Sequence, residues 1–179
     1  ITLTVNPAPN PDIDNVATAD FATVRGTIVS GSFANTRVED DVYEILTEEI
    51  QGQGSRRRSL LEHTWTFNVV AGAQYVFKVS AHHNGTEDDF AFAYSRDNVV
   101  FTPMLTVTGT SDTDLVQSYL FPQDIRGIVY VRVQDTDGTR GNAVQDSLFV
   151  DYLAITTRVP GGGAASPQVT ITALPDGSV

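Results

Sequence analysis

The residues of this chain best suited to chemistry are Asp135, Asp137, Gly138, Asn142 and Asp146, gathered in the run VYVRVQDTDGTRGNAVQDSLFVDYLAI, residues 129–155. Calcium takes roughly six to eight hard oxygens from carboxylates, amides, backbone carbonyls and water, and a glycine-permitted turn lets a short segment supply many of them. Crowded carboxylates repel one another, and a divalent cation relieves that repulsion. The loop is not an EF-hand, because its flanks alternate like strands and no glutamate stands at the spacing that closes that motif. The same side chains also suit a hairpin whose Asp and Asn groups cap their own backbone, so the loop reads either as a calcium site or as a self-capped turn.

Other chemistry has less to build on. None of the 179 residues is cysteine, which excludes thiol nucleophiles, thiolate metal sites and disulfides. The histidines are His63, His82 and His83, and no H-E-x-x-H, G-x-S-x-G or phosphate-binding glycine loop occurs. His82 and His83 are neighbours on a β-like run, so they point to opposite faces; a solvated strand end is expected there rather than a shared metal. Acidic residues cluster again at Glu39, Asp40 and Asp41 and at Glu87, Asp88 and Asp89, and these runs meet the Asp135 loop if all three lie at one end of the fold. The net charge is -11, from 11 Lys plus Arg against 22 Asp plus Glu, which repels phosphate backbones and anionic lipid surfaces. Neither nucleic acid nor a membrane is expected as a partner. Arg56, Arg57 and Arg58 read as a solvated loop, with a uronate or polyanion contact as the sharper alternative.

The elements that must hold these residues are strands. TVRGTIV (23–29), YEILTEEI (43–50), LEHTWTFNV (61–69), QYVFKVSAH (74–82), FAFAYS (90–95), MLTVTGT (104–110), VQSYLF (116–121), GIVYVRV (127–133) and SLFVDYLAI (147–155) alternate with a two-residue period and are rich in β-branched and aromatic residues. Turn signals such as GQG, NGTEDD, SRDN, SDTD and DTDG separate them. This pattern predicts an all-β chain folded as a β-sandwich of the jelly-roll kind. EDDVYEILTEEI has acidic and apolar spacing that a helix would also accept, and is read as a strand. Leu61, His63, Trp65, Phe67 and Val69 share one face, as do Tyr75, Phe77 and Val79, and Phe90, Phe92 and Tyr94; each set is expected in the core. Ligand-binding aromatics are then sought at strand ends and loops, where Tyr43, Phe101 and Tyr119 are the candidates, with Phe33 beside them.

The two ends differ in composition from the middle. ITLTVNPAPNPD reads as a closing strand followed by a Pro/Asn linker, and VPGGGAASPQVTITALPDGSV as a Gly-rich linker leading into a fresh strand. Residues 1–14 are therefore expected to end a preceding repeat, 15–158 to form the β-sandwich module, and 159–179 to open a following repeat. ITLTVNPAP resembles the last strand, and PQVTITALPDGS the first, of bacterial immunoglobulin-like or PKD-type domains. The resemblance implies a segment of a secreted or cell-surface multidomain protein.

The closing run DSLFVDYLAI is similar to the last strand of the carbohydrate-binding modules of families six, thirty-five and thirty-six. Those are calcium-bearing β-sandwiches, and the resemblance implies a structural calcium held by Asp151 and by Glu44 of VYEILTE. Together LEHTWTFNV, DDFAFAYSRD and VYVRVQDTDGTRGNAVQDSLFVDYL also resemble accessory modules of large bacterial secreted proteins. These resemblances imply a non-catalytic, calcium-stabilised module that binds polysaccharide or cell-surface glycan next to immunoglobulin-like domains of its own chain, and a monomer is expected. A structural or adhesive spacer without a saccharide cleft is the alternative, and a hydrolase fragment would need a carboxylate pair in a groove.

Overall fold

The computed structural model describes residues 2–4, 12–85, 88–159 and 168–170, the first and last of these stretches by backbone alone. Its strands are β1 (Thr2–Thr4), β2 (Ile13–Arg25), β3 (Thr27–Ser30), β4 (Glu44–Thr47), β5 (Glu49–Gln51), β6 (Arg58–Leu60), β7 (Glu62–Val69), β8 (Gln74–His83), β9 (Phe90–Ser95), β10 (Thr102–Val107), β11 (Val116–Leu120), β12 (Gly127–Asp135), β13 (Ser147–Arg158) and β14 (Gln168–Thr170). The only helical element among the described residues is the 3-10 turn Gly54–Arg56. One face of the sandwich runs β10-β9-β12-β7-β2, and the other has β8 and β13 at its centre, with β11 outside β8 and β4 then β3 outside β13. Every pairing is antiparallel, β1 with β14 and the small β5–β6 hairpin included.

The period-two alternation places its residues as expected. Trp65, Phe67, Phe77, Phe90 and Phe92 are fully buried between the sheets, with Tyr75, Val79, Tyr94 and Val131 around them. Trp65 lies parallel to Phe92 at 6.1 Å between ring centroids, and Phe77 meets the same Phe92 at 5.7 Å. Burying such rings dominates the stabilising energy of a core this size. Within EDDVYEILTEEI, residues 39–43 form no strand and Glu44 onward does, with the break between β4 and β5 at Glu48. The expected strand over 23–29 is likewise broken, at Gly26, whose φ of +80° is a left-handed conformation and where a Cβ would meet the Thr47 carbonyl oxygen at 2.6 Å.

The long strand β2 ties the two sheets together. Its first residues pair with β13, Ile13 opposite Thr157 and Val16 opposite Ala154, while Ala17 onward pairs with β7. At the crossover Asn15 is buried; its amide donates to the Ile155 carbonyl at 2.6 Å and to Thr157 Oγ1 at 2.9 Å, and its oxygen accepts the Val70 N–H at 3.0 Å. One side chain thus hydrogen-bonds backbone groups of β13 and of the residue that follows β7, on the two sheets.

Candidate functional site

Three loops bring carboxylates together below the end of the sandwich. Glu48 lies between β4 and β5, Asp88 between β8 and β9, and Asn142 and Asp146 between β12 and β13. A ligand oxygen from each of Glu48, Asp88 and Asp146 lies within 4.8 Å of the others, and all three side chains are buried. The arrangement is fixed by backbone and side-chain hydrogen bonds. The Asp146 N–H donates to Glu48 Oε2 at 2.9 Å, the Glu48 N–H to the Asp146 carbonyl at 3.1 Å, and the Asn142 amide to Asp88 Oδ2 at 2.7 Å. One oxygen of each residue is then left over: Glu48 Oε1, Asp88 Oδ1, Asn142 Oδ1 and Asp146 Oδ2 are buried without a hydrogen-bond partner among the described residues. Burial, reinforced by Asp88, Asp135 and Asp146, pushes the Glu48 carboxyl up to about 7, and burial also raises Asp88. This acidic group can hold a metal ion, and its donors are all oxygens.

The predicted loop residues divide around it. Asn142 and Asp146 belong to the buried group. Asp135 stands beside it, raised by burial, with Oδ1 accepting the Leu61 N–H at 2.8 Å. Asp137 accepts the Thr139 N–H at 3.0 Å, forming the self-capped turn that was the loop's other reading. Of the acidic runs, Asp88 reaches the loop, whereas Asp40 turns away to donate its N–H to Asp151 Oδ1 at 3.2 Å. Glu87 lies outside the described residues. Asp151 is buried in a bulge of β13, and burial raises its carboxyl.

Glu44 faces the interior. Its Oε2 accepts the Trp65 indole N–H at 2.8 Å, and Oε1 lies 3.8 Å from His63 Nε2, which is 3.5 Å from Asp20 Oδ1. Asp20 receives the Phe33 N–H, and His63 Nδ1 is 2.8 Å from the Thr23 hydroxyl. Ligand atoms of Asp20, Glu44 and His63 form a second converging group, which does not include Asp151. Burial pushes Glu44 up to about 8 and His63 down to about 4, so both are neutral near pH 7.

The candidate aromatics lie at three separate places. Tyr43 is on the outer face of the β13 sheet, edge-on to His82 at 5.4 Å and to Phe149 at 5.9 Å, with its hydroxyl donating to Asp112. Tyr119 is on edge strand β11 and packs against the core beside Tyr94 and Phe121. Phe101 lies on the opposite sheet under the Arg132 guanidinium, 3.9 Å from the ring centre. The histidine pair does point to opposite faces, but only His82 lies at the surface, stacked on Phe149 at 4.8 Å. His83 is buried against Phe90, which corrects the expectation of a solvated pair: its alternation places it in the core.

Phe101 and Arg132 form part of a groove of about 130 Å³ on the outer face of β2, β7 and β12, with Phe21, Val24, Glu62, Thr64 and Val99. β2 is bulged repeatedly along β7, and Phe21 and Val24 are extra residues at those bulges, 49% and 55% exposed. A bulge re-aims a side chain, here putting an aromatic ring at the surface where plain alternation gives none. Phe21 meets Tyr130 edge-on at 5.0 Å, and Arg132 Nη1 is 3.7 Å from Glu62 Oε1.

No family model and no curated protein matches the chain. Solved structures with a similar course include a family 61 carbohydrate-binding module in complex with β-1,4-galactotriose, at 12% identity and TM-score 0.45 over 75% of this chain and 84% of that one. A truncated AlyQ with a family 32 carbohydrate-binding module and alginate lyase domains gives 16% identity and TM-score 0.42 over 82% of this chain and 33% of that one. A family 29 carbohydrate-binding module variant complexed with mannohexaose gives 10% identity and TM-score 0.38 over 84% of this chain and 95% of that one. At these scores the likenesses assign neither fold nor ligand to this chain.

Proposed function

We propose that this chain is a non-catalytic saccharide-binding module of a larger extracellular protein, joined at both ends to immunoglobulin-like neighbours, and that the ion taken by its acidic residues is calcium. The groove over β2, β7 and β12 is the observation that carries the saccharide reading. It combines a ring open to solvent, Phe21, with a second ring, Phe101, whose partner Arg132 also faces Glu62. Sugars present apolar C–H faces and hydroxyls together, and an aromatic edge beside a fixed guanidinium and carboxylate answers both. The groove is shallow beside the pockets that enclose a compact ligand, which suits a glycan lying across the sheet. A non-catalytic role fits the groove's lining, where Glu62 is the lone carboxylate among the described residues and is engaged by Arg132; glycoside hydrolysis uses two.

The test is a calorimetric titration of soluble neutral and uronate polysaccharides against the wild type, Phe101→Ala and Arg132→Ala. Binding of one polysaccharide class by the wild type, weakened at least tenfold in both variants, is the expected result. No binding by the wild type refutes the saccharide reading and leaves a spacer module; equal binding by the variants moves the glycan to another face.

A further inference from the structure

The geometry points to a calcium ion bound by Glu48, Asp88, Asn142 and Asp146, pinning the β8–β9 and β12–β13 connections to the corner between β4 and β5. The inference rests on the reading above only for the identity of the ion, and not on saccharide binding. Glu48 is 1% exposed, Asp88 and Asp146 3% each, and Asn142 9%. An isolated carboxylate taken out of water loses several kcal/mol of hydration unless it is paired or neutralised. Here three are taken out together, and no cationic side chain forms an ion pair with any of them among the described residues. Asn142 is the independent sign of a ligand. It has no charge to neutralise, yet it too keeps a buried oxygen without a hydrogen-bond partner among the described residues, while its nitrogen is tied to Asp88 Oδ2. A proton shared among carboxylates would not explain that amide.

The donor set selects among cations. With oxygens alone and neither imidazole nor thiolate in the group, it disfavours zinc and the later transition metals. Magnesium demands a near-regular octahedron and keeps several of its waters, whereas calcium accepts irregular sets of carboxylate and amide oxygens drawn from separate loops. Gly85 marks how closely the chain closes over the group, since a Cβ there would fall 2.0 Å from Asp146 Oδ2.

The experiment is thermal melting of the full chain with chelator, calcium, magnesium or zinc, with native mass spectrometry to count retained ions. The variants are Glu48→Gln, Asp146→Asn and, as a control outside the group, Asp112→Asn. At a hundredfold excess over Kd, calcium is expected to raise the wild-type melting temperature by about 5 to 10 °C, with one ion retained. Glu48→Gln and Asp146→Asn should lose that rise while melting in chelator no lower than the wild type by more than a few degrees, because each removes repulsion along with the ligand. Asp112→Asn should keep it. A full calcium response in both Glu48→Gln and Asp146→Asn places the ion elsewhere and overturns the site while leaving the calcium reading standing. No retained ion and no response in the wild type overturn both. If either variant fails to fold, Asp88→Asn replaces it, and its unaltered calcium response would equally overturn the site. Saccharide titration of Glu48→Gln keeps the two readings apart, since its groove residues are unchanged.

Discussion

Glu44→Gln tests the buried proton at the heart of the sandwich. Burial pushes the Glu44 carboxyl up to about 8 from 4.5, so between those values the native state holds a proton that the unfolded chain has released. Stability from this group is complete below pH 4.5 and is lost as pH rises to about 8. His63 acts oppositely: pushed down to about 4 from 6.5, it favours the native state increasingly as pH rises through that lower window. The two oppose each other up to pH 6.5, and above it Glu44 acts without that offset. One proton is worth about 1.4 kcal/mol per pH unit, so between pH 6.5 and 8 the wild type should lose at most about 2 kcal/mol through Glu44. That corresponds to about 4–8 °C in melting temperature for a chain of this size. Glutamine keeps an oxygen for the Trp65 indole and has no charge to acquire. The assay is urea unfolding of both proteins at pH 6.5 and pH 8 in chelator, so that no cation contributes. Glu48 also titrates in this range, but it does so in both proteins and drops out of the difference. Glu44→Gln should hold its stability across the window while the wild type declines. Parallel pH curves for the two proteins would refute the assignment of a proton to Glu44.

Two further substitutions probe the scaffold. Gly85→Ala drives a methyl into Asp146 and should cost about 1–3 kcal/mol, read as a lower denaturation midpoint, together with a weakened calcium response. Asn15→Ala strips the Ile155 carbonyl and the Val70 N–H of their buried partner; a loss of about 1–3 kcal/mol in urea unfolding, with the groove's saccharide affinity unchanged, is expected.

How much of the fold and the acidic site was legible in the sequence depended on alternation. β7, β8, β9, β12 and β13 alternate plainly, and their inward residues are the observed core. The first part of β2 was not readable as a strand, because Asp14, Asn15 and Asp20 interrupt the apolar pattern to serve the crossover and the Phe33 turn. Asn142 and Asp146 stood out as oxygen donors close together in sequence. Glu48 did not, since in TEEI nothing local says which glutamate turns inward; the break between β4 and β5 decides it. Phe101 could be sought in a loop, whereas Phe21 reaches the surface through a bulge, which resets the very alternation used to sort inward from outward.

The antiparallel pairing of Ile13 with Thr157 sets how the sandwich answers tension. Within the sandwich, the first strand, β2, and the last, β13, lie side by side, with the start of one and the finish of the other at the same edge. A pull on the chain from both sides therefore loads their hydrogen bonds one pair after another, like a zipper, and not all at once in shear. Because β2 continues into the other sheet, peeling that proceeds past Val16 next meets the β7 ladder, and the opening of one sheet becomes the opening of both.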